Sequence, residues 1–90
     1  METKIALFHG KHVLKTLHND EWWFSVSDVV QILTDSLDVK QYIKRMRSRD
    51  SQLDVNWGTI CTPLELRAPD GKSRETNCAN TEGIFRIIQS

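Results

Sequence analysis

The run Ala68 to Ser90, APDGKSRETNCANTEGIFRIIQS, carries three structural instructions in succession. Ala68-Pro69-Asp70-Gly71 reads as a turn. Pro in the second position and Gly in the fourth suit a type I turn followed by a bulge. Ser73 to Ala79 then reads as a strand that folds back on Ile60 to Arg67. Asn80 or Thr81 caps a helix whose first turn holds Glu82, where the helix dipole favours an acid. Ile84, Phe85, Ile87 and Ile88 supply its apolar face. No Gly or Pro stop follows, so the run reads as part of a longer protein.

Moving towards the amino terminus, the pattern changes period. Lys4 to Phe8 alternates, with Ile5 and Leu7 on one face. His9-Gly10-Lys11 is a turn, Val13 to Leu17 alternates again, and Asn19-Asp20 is a second turn. Glu21 to Val26 is a third strand, with Trp22 and Phe24 on one face and Trp23 on the other. These three strands predict an antiparallel meander. Ser25 and Ser27 are cap candidates for a short helix over Asp28 to Thr34, and Ser25-x-x-Asp28 has the spacing of a capping box. Asp38 caps a second helix, Val39 to about Arg49, with Val39, Tyr42, Ile43 and Met46 as its narrow apolar stripe. Asp50 to Thr59 reads as polar and irregular, with Trp57-Gly58 as its strongest local feature.

These elements make a small α+β fold: a three-stranded meander, two helices, a β-hairpin and a carboxy-terminal helix. Ninety residues suffice for one domain, burying roughly 60–65% of the unfolded surface. Apolar content of 39% and charged content of 27% are ordinary for a globular protein. No apolar run approaches the ~20 residues of a membrane span, and METKIALFHGKH does not read as a signal peptide. A cytoplasmic protein is expected, with its two cysteines as reduced thiols. Pairing outward from the turn brings Cys61 near Cys78 or its neighbour, so a disulfide is geometrically conceivable, against the expected compartment.

The charges are evenly matched, twelve basic against twelve acidic. Any case for nucleic acid therefore rests on where the cations sit. They concentrate on the second helix: Lys40, Lys44, Arg45, Arg47 and Arg49 lie between Asp38 and Asp50. At ~100° per residue, Lys40, Lys44 and Arg47 share one flank of the apolar stripe, and Arg45 and Arg49 the other. Such a helix can neutralise phosphates. The competing reading is a solvated face whose long stems cover the core edge. Lys72 and Arg74, near the hairpin tip, could enter a groove as a ribbon, against ordinary cross-strand charge pairing. Trp23 could stack a base, against packing in the core. His9 and His12 form an isolated HxxH without further ligands, so neither a metal nor another cofactor is expected. No GxSxG, P-loop or HExxH occurs, and no enzymatic activity is expected.

The runs HNDEWWFSVSDVVQILTDS (His18 to Ser36) and TNCANTEGIFRIIQS (Thr76 to Ser90) resemble the Bro-N domain. This is the amino-terminal module of phage and large-DNA-virus antirepressor-like proteins and of bacterial DNA-damage-inducible D-type proteins. The resemblance extends from about Lys4 to Ser90 and is weakest over Asp50 to Cys61. It implies a DNA-binding module of a prophage-type regulator that precedes a variable carboxy-terminal domain. Expected partners are therefore DNA, duplex or single-stranded, through the basic helix. The alternative is a protein-interaction module that seizes a repressor or forms a homodimer of the parent protein. The resemblance names no base-reading residue; the nomination of Lys40, Lys44, Arg45, Arg47, Arg49, Lys72 and Arg74 comes from charge.

Overall fold

The computed structural model describes residues 3–68 and 70–89. Five strands and five helices follow one another as β1 (Thr3–Phe8), β2 (Lys11–His18), β3 (Glu21–Ser25), α1 (Val26–Thr34), α2 (Val39–Arg49), α3 (Ser51–Val55), α4 (Trp57–Ile60), β4 (Thr62–Arg67), β5 (Ser73–Asn80) and α5 (Thr81–Ile88). The fold class is the expected α+β. The strands, however, form one antiparallel sheet in the order β1-β2-β3-β5-β4. The meander and the hairpin are joined because β5 pairs with β3, setting Trp23 opposite Asn80, Phe24 opposite Ala79 and Ser25 opposite Cys78. That pairing bridges more than fifty residues of chain and leaves no local sign in the sequence.

The turns follow from the residues in them. His9 and Gly10 both have positive φ, as do Asn19 and Asp20. The flanking pairs are Phe8 with Lys11 and His18 with Glu21. Two-residue loops of this hand match the right-handed twist of the strands they join. At the third hairpin, Gly71 has φ +86° and its N–H donates to the Ala68 carbonyl at 2.9 Å, while Ala68 N–H donates to the Lys72 carbonyl. This is the hydrogen-bonding expected of a turn closed by a bulge. Pro69 itself lies outside the described residues.

The sheet separates two apolar clusters. On its helix side, Val26, Val30, Met46, Leu53, Trp57, Cys61, Ala79 and Ile87 form the larger one, edged by Val39, Tyr42, Ile43, Ile60 and Ile84. On the other side, Leu64, Leu66 and Cys78 pack with Leu14 and Trp23. The sheet curls back on itself, bringing β4 towards β2 and donating Arg67 N–H to Thr3 Oγ1 at 2.9 Å.

Two local expectations need correction. Residues 50–59 are not irregular: they contain α3 and nearly all of α4, with Leu53 and Trp57 buried. Burying two such side chains contributes about 1.5–3 kcal/mol each, which stabilises helices too short to persist alone. Ser25 does cap α1, its Oγ accepting from Asp28 N–H at 3.4 Å, but Asp28 does not complete a capping box. Its carboxylate accepts the Leu14 N–H at 3.0 Å and so ties α1 to β2.

Candidate nucleic-acid interface

α2 is held through its apolar stripe. Met46 is buried in the helix-side cluster, with Val39, Tyr42 and Ile43 packed beside it against α1 and α3. Its two flanking acids are both occupied with backbone. Asp38 Oδ1 accepts from Gln41 N–H at 3.1 Å and starts the helix. Asp50 ends it and starts α3, its Oδ1 accepting from Leu53 N–H at 3.0 Å. Asp50 Oδ2 also receives Arg86 Nη1 at 3.3 Å. The Leu53 N–H is the main reason the Asp50 carboxyl titrates below its ordinary range, with Arg86 adding to it and partial desolvation opposing.

The cations between these acids divide into two kinds. Arg47 is fixed: its Nε lies 2.8 Å from Asp54 Oδ1, and its guanidinium sits 5.1 Å from the centre of the Trp57 ring. Lys40, Lys44, Arg45 and Arg49 are exposed, and among the described residues none of the four takes part in an ion pair. Lys40, Lys44 and Arg47 border a shallow depression of about 230 Å³ together with Ile43, Ser48 and Asp54. Arg45 and Arg49, one helical turn apart, occupy the opposite flank. The Asp54 and Trp57 contacts of Arg47 escaped the sequence reading because residues 50–59 were read as irregular. The spacing of Leu53, Trp57 and Ile60 (i, i+4, i+7) was the available sign of a helical stripe.

The hairpin tip is differently arranged. Arg74 Nη2 pairs with Asp70 Oδ2 at 3.0 Å, and Asp70 Oδ1 accepts from Lys72 N–H. Across the strands, Glu65 lies opposite Glu75 and Leu66 opposite Arg74. The expected cross-strand charge pairing is therefore absent here, and the ion pair is made within the turn. The tip neighbours the start of β1 through Arg67 and Thr3, whereas α2 neighbours α1 and α3. The two nominated groups thus sit on elements with different packing partners.

Residues 12–90 match the family described as the BRO family, N-terminal domain (Bro-N). The chain belongs to the Bro-N family. No curated protein and no solved structure matches it. The match starts inside β2, so β1 lies before it, although the resemblance was expected to begin near Lys4.

Other nominated features of this Bro-N domain are structural. Trp23 is half-buried, packs on the Leu64–Leu66–Cys78 cluster and donates its Nε1–H to the His18 carbonyl at 3.1 Å. Trp22 is capped by Lys15, whose Nζ is 4.2 Å from the ring centre. Cys61 and Cys78 are free and buried. The register sets Thr62, not Cys61, opposite Cys78, and the two thiols pack in different apolar clusters. Burial pushes Cys61 up to about 12 and Cys78 up to about 11. Nearby Arg47 opposes the rise at Cys61, and Asp28 adds to that at Cys78. Both stay protonated near neutrality and are poor nucleophiles. Among the described residues no three His, Cys, Asp or Glu side chains are grouped to hold a metal ion, and no helix is long and apolar enough to cross a membrane.

Proposed function

We propose that this Bro-N domain binds DNA as the amino-terminal unit of an antirepressor-like regulator, with α2 lying along the phosphate backbone. The observation that carries the reading is the group of exposed cations Lys40, Lys44, Arg45 and Arg49, outside any ion pair among the described residues, on one helix whose flanking acids are engaged as caps. An exposed cation outside an ion pair can neutralise a phosphate and release the counterions condensed on the DNA without first breaking an internal pair. Arg47 is already paired and supports the helix; Lys72 and Arg74 act at most as auxiliary contacts beside Asp70. Family membership supports the same reading, since the Bro-N resemblance implies a DNA-binding regulator.

The test is titration of the chain into labelled duplex and single-stranded DNA at low and at physiological salt. One phosphate for each of the four cations predicts a log–log salt slope of about −3 to −4 on duplex. Absence of binding at low salt would remove the reading. A protein contact is favoured by a separate observation, an apolar groove beside β1.

A further inference from the structure

The side chains of α2 are sorted around its axis. The stripe of Val39, Tyr42, Ile43 and Met46 faces inward, and at 3.6 residues per turn Gln41 and Ser48 fall within about 30° of the opposite direction. Lys44, bordering this crest, and Lys40 lie to one side of it, Arg45 and Arg49 to the other, and all six side chains are exposed. The crest itself is polar and uncharged. Gln41 carries an amide that can donate and accept together, and Asp38 holds the Gln41 N–H in the first turn of the helix. Ser48 Oγ donates to the Lys44 carbonyl at 3.0 Å, so its oxygen remains an acceptor. Asp54, in the depression beside Lys40 and Lys44, is paired with Arg47. The placement of α2 adds a second observation. It follows α1 across only residues 35–38, where Asp35 turns the chain with φ 51°, and Val30 of α1 shares a cluster with Met46 of α2. Two packed helices on so short a turn are the arrangement in which a second helix can enter a DNA groove.

We infer that α2 enters the major groove of duplex DNA, with Gln41 and Ser48 facing base edges and the two cation pairs reaching phosphates of opposite strands. This placement rests on the DNA-binding reading above and sets the helix between two backbones. A helix lying on one strand alone would use cations on one flank. A helix about 10–12 Å across with cations on both flanks matches the two phosphate rims of a major groove about 12 Å wide. The phosphate contacts fix position and carry no sequence information, which leaves the uncharged crest to read the bases. Gln41 stands in the first turn, where a recognition helix meets base edges, and its amide fits the paired donor and acceptor of adenine. The Ser48 oxygen can accept from an exocyclic amine one or two turns further along.

The test uses one labelled duplex made with cytosine and again with glucosylated 5-hydroxymethylcytosine, which fills the major groove and leaves the phosphates unchanged. The chain should bind the glucosylated duplex about tenfold or more weakly at low salt. The bound fraction of a random-sequence duplex library is then sequenced for the chain and its variants, with far-UV circular dichroism checking that each folds. Gln41→Ala should lower the preference at one or two neighbouring base pairs by about tenfold and leave the salt slope unchanged. Lys44→Ala should keep the preference and reduce the slope by about one. Equal affinity for the two duplexes, or a library preference that Gln41→Ala and Ser48→Ala both leave intact, overturns groove insertion while DNA binding stands. No binding to either duplex at low salt removes the DNA reading and the groove placement with it.

Discussion

The basic helix and the hairpin tip look alike as strings of letters and differ as surfaces. Each has cations close to acids. Asp38 stands at the start of α2 and Asp50 at the start of α3, where the backbone has unpaired N–H groups, and both are taken up as caps. Among the described residues, four of the five cations between them stay outside ion pairs. At the tip, Asp70 stands in the turn within reach of Arg74, and Glu65 and Glu75 line up across the strands. The lesson is that the geometry of the acids, more than the number of bases, decides whether a stretch can present positive charge.

The strongest way to break this contrast is to remove what supports α2. Leu53 is fully buried within the helix-side cluster. Leu53→Ala should cost about 2–4 kcal/mol in denaturant unfolding and weaken DNA binding along with the fold. A near-neutral result would mean that α3 does not hold α2 in place.

Replacing Lys40, Lys44, Arg45 and Arg49 together by Ala should reduce duplex affinity about a hundredfold at low salt and flatten the salt slope. The melting temperature should hardly move, because among the described residues none of the four takes part in an ion pair. Arg47→Ala should show the opposite signature. Loss of its stem packing, its contact with Trp57 and a partly solvated ion pair should cost about 1 kcal/mol of stability with little change in salt slope. If the two variants behave alike, the division of α2 into free and fixed cations is wrong. The smallest effect is expected from Lys72→Ala with Arg74→Ala. Affinity should fall by less than about threefold, because Asp70 already offsets Arg74. A loss matching that of the α2 quadruple variant would move the interface to the ribbon.

Much of the fold was legible because it is written in short-range chemistry. The turns at His9-Gly10 and Asn19-Asp20, the cap at Ser25 and the cap at Asp38 each depend on residues only a few positions apart. The stripe of Val39, Tyr42, Ile43 and Met46 likewise placed α2 with its apolar side inward. Residues 50–59 were misread because their intrinsic signal is weak: α3 and α4 are one to one and a half turns long, and burial of Leu53 and Trp57 holds them. The candidate site was half legible. Charge density picked out α2, but Arg47 could be told from its neighbours only once Asp54 and Trp57 were seen against it.

By itself the sequence determined the class of fold, the order of its strands and of its three longer helices, the inward face of α2 and membership of the Bro-N family. Local propensity and periodicity act within a few residues and survive in a linear string. Only the tertiary structure decided that β5 joins β3 into one sheet, that the cysteines pack in different clusters, and which cations, among the described residues, stay outside ion pairs. These depend on contacts between residues tens of positions apart, and their free energy exists only after the chain has closed.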